Sequence, residues 1–273
     1  RQAERIAEEL RARGAQCPIR RNGGFLCAVE GGNISLAEPC DCVVYLDKDK
    51  YLSHMLEKAG VRLFDSAAAV EACDDKMTTY ISLAGHGLHL PDTLPAPLCY
   101  YADAAVREEY VRAVGERLGY PLVAKKSFGS WGDGVRLVES EAALRQLAGE
   151  WKLVPHLYQK RVGKRGEDLR VLVVGGKAVA CMRRKNEADF RSNVELGGRG
   201  EAASPPPAFT AAAERCAALL GLDYCGVDIL DEGGLPFVCE VNSNAMFNEA
   251  EKVTGVNVAG AYAEHILRSL HAE

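Results

Sequence analysis

Two late stretches, Gly226 to Leu230 and Phe237 to Val241, read as strands buried in a core because they are near-continuous apolar runs. Each is interrupted by oxygen-bearing side chains, Asp228 in the first and Glu240 in the second, with Asn242 just beyond. A buried carboxylate must be paired or bound to a cation, since an isolated charge is very costly to desolvate. Glu240 and Asn242 stand two apart and so point to one face of their strand. Asp228 joins them only if the turn holds an odd number of residues, because a two-residue Gly233-Gly234 turn would send it to the opposite face. Two carboxylates and an amide form the oxygen set that magnesium takes beside substrate phosphates, with manganese as the alternative ion. Strand-end salt bridges are the plainer reading of the same residues.

A second constellation lies upstream. Lys125 ends an apolar strand, Leu122 to Lys125, and the segment Lys126-Ser127-Phe128-Gly129-Ser130-Trp131-Gly132-Asp133-Gly134 leads into another strand, Val135 to Val138. Turns need glycine in any case. Yet Gly129, Gly132 and Gly134 let backbone N–H groups approach an anion while the lysine neutralises it. The segment leads into a strand rather than a helix, so it is not a Walker loop. Arginines supply a third element: Arg170 follows Asp168 on one predicted hairpin strand, Arg183 and Arg184 lie on the next, and Arg191 sits in Asp189-Phe190-Arg191-Ser192-Asn193. A solvated face accounts for Arg183 and Arg184. Guanidinium groups also stabilise phosphoryl and carboxylate charge, which makes Arg191 and Arg170 the candidate catalytic residues.

Composition narrows the setting. The 273 residues suit two or three subdomains, and 48% apolar with 26% charged residues is the balance of a globular chain. No apolar run approaches a membrane span, and the net charge of −5 with only short basic runs argues against a nucleic-acid partner. The 10 cysteines are scattered through apolar stretches and read as reduced thiols, so a cytoplasmic location is expected. Neither Cys40-Asp41-Cys42 nor the pair His86 and His89 completes a zinc set. The chain opens on Arg1 without a methionine, and an opening strand is expected upstream.

Along the chain, helical patterns at Gln2 to Arg13 and Tyr51 to Ala59 alternate with apolar runs at Val43 to Leu46 and Val61 to Phe64, which suggests βα units and a parallel sheet. A helix is expected over Asp74 to Ala84, followed by a proline-rich linker, Pro91 to Pro97. The domains expected are an N-terminal α/β unit (1–97), a small α+β lid (98–160) and a mainly antiparallel C-terminal unit (161–273). Within them Asp103 is expected to cap a helix running to Leu118, and Ser140 one reaching Leu147. Thr210 is expected to cap a helix ended by Gly221, and Leu169 to Val174 with Ala178 to Arg183 form a hairpin around Gly175-Gly176.

From about Asp75 to about Gly260 these motifs resemble, in order, those of the ATP-grasp superfamily and within it the RimK-type amino-acid ligases. Asp75-Lys76, with Gly87 and Leu90-Pro91, is similar to the family's first nucleotide-lysine segment. Pro121 to Lys125 and the glycine-rich loop resemble the second, and Asp189 to Asn193 with Gly197-Gly198 resembles a signature loop. Gly226 to Ile229 with Glu240 to Asn242 resembles the metal site, and Thr254 to Ala259 the closing segment. The resemblance implies an ATP-grasp fold with nucleotide between the lid and the C-terminal unit. ATP would meet Lys76, Lys125, Gly129, Ser130, Trp131, Gly132, Gly134 and Asn193, with Gln159, Lys160, Arg161 and Val162 as the adenine hinge and Asp168 at the ribose. Metal would sit on Asp228, Glu240 and Asn242. The chain departs from the family at Lys160, where an acid is usual, and at Ser243 to Phe247, where a proline-containing version is usual.

The activity implied is an ATP-dependent carboxylate–amine ligation through an acylphosphate. It would join an amino acid, glutamate being the family's commonest, to a small carboxylate, a peptide or a protein terminus. A homo-oligomer is also an expectation from related enzymes. A nucleotide-binding regulatory module and a small-molecule kinase are the rival readings.

Overall fold

The computed structural model describes residues 2–21, 23–130 and 132–271. The chain starts with helix α1 (Gln2–Ala12), a hairpin of β1 (Cys27–Glu30) and β2 (Asn33–Leu36), and then β3 (Cys42–Val44), α2 (Lys50–Lys58) and β4 (Arg62–Phe64). β3 and β4 pair in parallel across α2, the βα arrangement that the alternating pattern suggests. The helix expected over Asp74 to Ala84 is α4 (Lys76–Leu83), and a further helix, α3 (Ala67–Asp74), precedes it. Asp75 between them is extended, and its carboxylate accepts the N–H groups of Met77 and Thr78, an N-cap that starts α4 at Lys76.

The lid comprises β5 (Thr93–Pro95), α5 (Glu108–Leu118), β6 (Leu122–Lys126), β7 (Val135–Val138), α6 (Glu141–Trp151) and β8 (His156–Lys160). Its sheet has the order β5-β8-β6-β7, with antiparallel pairing throughout. β5 falls inside the stretch read as a linker, which delivers a strand to the lid. Val111, Val114 and Leu118 of α5 and Leu144, Leu147 and Trp151 of α6 cover the sheet. α5 starts at Glu108 rather than after Asp103, because the segment before it is tied elsewhere: the Ala104 carbonyl accepts from Lys152 Nζ, and Cys99 N–H donates to the Lys152 carbonyl.

The remaining elements are β9 (Glu167–Val174), β10 (Lys177–Lys185), β11 (Arg199–Ala202), α7 (Pro207–Leu220), β12 (Tyr224–Glu232), β13 (Leu235–Asn242), α8 (Asn248–Thr254) and α9 (Val258–His271). α7 is not capped by Thr210, whose hydroxyl lies in the first turn and donates to the Pro207 carbonyl. Pro207 opens the helix, where its missing N–H costs nothing. The five strands form an antiparallel sheet in the order β11-β10-β9-β12-β13.

Alternation along these strands makes two unlike faces. On one, Leu169, Val171, Val173, Val227, Ile229, Val238 and Val241 pack under α7, with Ala69, Cys73 and Leu83 of α3 and α4 joining the same core. On the other, Leu172, Val174, Met182 and Tyr224 pack against Ile6 and Leu10 of α1 and Val258, Tyr262 and Ile266 of α9. That second face is apolar only at one end. Further along, it carries Asp168, Arg170, Arg184 and Asp228.

The turn between β12 and β13 is the two-residue Gly233-Gly234, with Glu232 paired to Leu235, so the odd turn required by the sequence argument is absent. The extra residue sits instead inside the hairpin. The register shifts between Asp228 and Ile229, leaving Cys239 as a β-bulge, and Asp228 stands opposite Glu240 while Gly226 stands opposite Asn242. The bulge also explains how Val238 and Val241, three apart, share the core face while Glu240 and Asn242 take the other.

Phe209 is fully buried where α7 meets the sheet. Truncating it to alanine should cost about 3–5 kcal/mol, read as a lower urea midpoint with an unchanged transition slope.

Candidate functional site

A cleft of about 900 Å³, counted out to its open mouth, runs between the lid sheet and the charged end of the five-stranded sheet. Lys125 of β6, the loop at Gly129, Ser130 and Gly132, and the β8 exit from Gln159 to Val162 form its lid side. Lys76, Asp168, Arg184, Arg191, Asn193, Asp228 and Glu240 form the opposite side. Of the other sequence candidates, Arg170, Gly134 and Asn242 do not line the cleft, and Trp131 lies outside the described residues.

The floor is a row of charges ordered by strand register. Arg184 on β10 is opposite Asp168 on β9, and Arg170, two residues along β9, is opposite Asp228 on β12. Arg170 grips Asp228 with two bonds, Nε to Oδ1 at 2.7 Å and Nη2 to Oδ2 at 2.8 Å. Arg184 donates Nε to Asp168 Oδ1 at 2.8 Å and also reaches across to Asp228 Oδ2 at 2.8 Å. Only 2% of Arg184 is exposed, so burial works against every charge here. The Asp228 and Asp168 carboxylates outweigh burial at Arg184 and hold its guanidinium charged. Burial likewise disfavours the Asp228 anion, but Arg170 and Arg184 more than offset it and hold its carboxyl below the usual aspartate value. Asp168, expected at the ribose, is engaged by Arg184 and by the Ser192 hydroxyl, which donates to Oδ2 at 2.6 Å.

Two lysines face this row. Lys76, the first residue of α4, directs Nζ to the Gly129 carbonyl at 3.0 Å and to Glu240 Oε1 at 3.3 Å. Lys125 is buried, with Nζ 3.5 Å from the sulfur of the bulge residue Cys239. Burial opposes the Lys125 charge, yet its pKa is raised on balance by Cys239, Tyr80 and Glu240. Burial in turn pushes up the Cys239 thiol and the Tyr80 phenol, the latter to about 12.

Two loops complete the cleft. In the first, Asn186 Oδ1 accepts the N–H groups of Ala188 and Asp189, and Asp189 accepts both Arg191 N–H and Nε. The Arg191 hydrogen bonds pull the Asp189 carboxyl down to about 2. Arg191 Nη1 then donates to the Gly132 carbonyl at 2.7 Å, so it clamps the glycine-rich loop rather than pointing freely into the cleft. Gly198 must be glycine, since a Cβ there would lie 2.3 Å from the Ser192 carbonyl oxygen. In the second, the exit from β8, Gln159 turns inward and donates to Thr93 Oγ1 at 2.9 Å, while Lys160 lies 3.9 Å from Asp92. Gly163 N–H donates to Glu232, tying this exit to the tip of the β12–β13 hairpin.

Among the described residues, no group of three or more His, Cys, Asp or Glu side chains comes together as a metal cage. The set Asp228, Glu240 and Asn242 differs in kind: two carboxylates and one amide on facing strands, which suits a magnesium ion completed by phosphate oxygens. The Asn242 amide nitrogen is buried without a partner, so no internal hydrogen bond needs it there, and the amide oxygen is the end a hard cation takes. Asp228 is already bonded to two guanidinium groups, so an incoming cation must share that carboxylate.

Sequence reasoning underrated Arg184. Its neighbours Arg183 and Lys185 suggest a solvated run, but period-two alternation with apolar Met182 places it on the inner face, and that signal was available. Glu167, Lys164 and Arg165 also line the cleft with no motif to mark them.

The model of the RimK-like ATP-grasp domain matches residues 73–266. Beta-citrylglutamate synthase B from Danio rerio is 34% identical over 231 residues, covering 83% of this chain and 56% of that protein. A probable alpha-L-glutamate ligase from Maridesulfovibrio salexigens is 36% identical over 214 residues, covering 77% of this chain and 68% of that protein. Among solved structures, ATP-grasp ligase PsnB complexed with minimal precursor, Mg and ADP superposes with a TM-score of 0.71 at 20% identity, over 98% of this chain and 94% of that one. That likeness is one of fold. The chain thus spans little more than half the length of the synthase it matches.

Replacing Arg184 by methionine leaves Asp168 and Asp228 facing each other in a buried site and should cost about 3–5 kcal/mol in urea unfolding; lysine, which cannot bridge both carboxylates bidentately, should recover only part. The wild-type protein has a matching acid limit. With the Asp228 carboxyl below its ordinary value, the unfolded chain binds more protons at this group. Its contribution is therefore complete above about pH 4 and is lost as the pH falls further. Arg184→Met should flatten that acid slope in urea midpoints taken at successive pH values.

Proposed function

The chain belongs to the RimK-like ATP-grasp family, and from that premise we propose that it is an ATP-dependent carboxylate–amine ligase that forms an amide through an acylphosphate. The observation that carries this reading is one cleft in which Lys125 and the glycine-rich loop stand across from Lys76, Arg184, Asp168, Asp228 and Glu240. Such a site holds a polyanion at one wall and tolerates charge moving between two anions. Among the described residues that line it there is no serine–histidine or cysteine–histidine pair for covalent catalysis, and acyl transfer from an acylphosphate, a mixed anhydride, needs none.

Lys125 and Lys76 neutralise phosphate oxygens from the lid and α4 sides, and loop N–H groups add donors without adding charge. Magnesium, when held by Asp228, Glu240 and Asn242, supplies the remaining neutralisation of the phosphate chain. The substrate carboxylate then takes the γ-phosphoryl group. Arg170 and Arg184 hold the Asp228 carboxylate in place. The amine attacks the acyl carbon and phosphate leaves, so positioning rather than acid–base chemistry sets the rate. Arg191 holds the loop down at Gly132, which keeps water from the acylphosphate.

The substrate class follows the relatives named as a citrylglutamate synthase and a glutamate ligase: an amino acid, with glutamate the first to test, joined to a small carboxylate, a peptide or a protein terminus. Magnesium is supported by the oxygen set described above and by the Mg and ADP in the PsnB complex. Among the described residues no helix is long and apolar enough to cross a membrane, and a cytoplasmic location remains part of the proposal.

The test is ADP release over a matrix of amino acids and carboxylates. Release that requires both partners supports the ligase. A phosphorylated product formed with no amine consumed would identify a kinase, and nucleotide binding without turnover a regulatory module. Asp228→Asn and Glu240→Gln, chosen to keep shape, should each lower turnover at least about 100-fold and raise the magnesium concentration needed for half-maximal rate.

A further inference from the structure

The tip of the glycine-rich loop is held by three cations that come from different parts of the chain. Lys76 Nζ donates to the Gly129 carbonyl at 3.0 Å, Arg191 Nη1 to the Gly132 carbonyl at 2.7 Å, and Lys48 Nζ to the Ser130 hydroxyl at 3.2 Å. Lys76 and Arg191 line the cleft; Lys48 does not. Lys48 belongs to the short loop between β3 and α2, and Asp74, the last residue of α3, accepts a second bond from its ammonium.

That short loop is itself tightly built. Asp47 Oδ1 accepts the N–H groups of Lys48 and Asp49, and Asp49 caps α2. The Leu46 carbonyl accepts Asn244 Nδ2 at 2.7 Å, two residues past Asn242. Residues 46–49 therefore touch both the end of β13 and the loop that covers the phosphate end of the cleft.

We propose that Lys48 is a positioning residue that latches the glycine-rich loop closed from the N-terminal side, so that loop closure depends on residues 46–49 being seated on Asn244. Its effect on turnover rests on the ligase reading above; its effect on the loop does not. An exposed lysine–carboxylate pair contributes little to global stability, so the worth of this contact is geometric. A loop with Gly129, Gly132 and Gly134 has a wide choice of backbone conformers, and each anchor removes part of that choice before nucleotide arrives. Ser130 is held through its carbonyl, which accepts the Asp133 N–H at 3.1 Å, and through its hydroxyl, which accepts from Lys48.

The test is hydrogen exchange of amides 129–134 in the nucleotide-free protein, for wild type, Lys48→Ala, Lys48→Arg and Arg191→Ala. Lys48→Ala should speed exchange in this segment by about tenfold, Lys48→Arg should restore it, and β9 and α7 should exchange as in wild type. In turnover, Lys48→Ala should raise KM for ATP and increase the share of ADP released without amine, as an unlatched loop admits water. Unchanged exchange at 129–134 in Lys48→Ala, while Arg191→Ala accelerates it, overturns the latch; so does an equal acceleration in β9 and α7. If the loop responds as expected but wild type turns over no nucleotide, the latch stands and the ligase reading falls.

Discussion

Four charges on three neighbouring strands, Asp168, Arg170, Arg184 and Asp228, are the constraint around which the rest is arranged. Each would be expensive to bury alone, and together they satisfy one another through five short contacts across β10, β9 and β12. The sheet can afford this only because the other end of the same face is fully apolar and packed by α1 and α9, while the opposite face is sealed by α7. Packing makes the platform rigid. The charges leave one end of it facing the cleft instead of packed under a helix.

Much of this was readable from residues. Apolar runs broken by Asp228 and Glu240 announced buried strands with something to hold, and glycine pairs marked both long hairpins. The order of Lys76, Lys125, Arg191 and the carboxylates pointed to the family. What could not be read was register. A two-residue turn and a bulge at Cys239 cancel each other, and no local propensity distinguishes that pair from an odd-length turn without a bulge. Helix starts failed for a related reason. Asp103 and Thr210 have the chemistry of caps, but Lys152 pins the segment after Asp103, and Pro207 starts α7 before Thr210 is reached.

The candidate site divides along the same line. Residues marked by sequence-local chemistry, such as Lys125 beside its glycine-rich loop, line the cleft. Residues whose role depends on neighbouring strands do not show it in advance. Arg170, read from the sequence as a catalytic candidate, is bonded to Asp228, and Arg191, read the same way, lines the cleft and donates to the Gly132 carbonyl. Lys48 carries no motif, since an Asp-Lys-Asp-Lys run reads as solvated surface until the fold brings Ser130 beside it.

The β12–β13 hairpin reaches from Asp228 and Glu240 at one end to Glu232 at the other, where it holds Gly163 just past the exit from β8. A strand advances about 3.3 Å per residue. The four residues from Asp228 to Glu232 therefore set a span of about 13 Å between the carboxylate end of the cleft and its hinge end. A hairpin shorter or longer by two residues would hold Gly163 at a different distance from Asp228, so the length of the cleft between those two points is fixed by a strand length as well as by side chains.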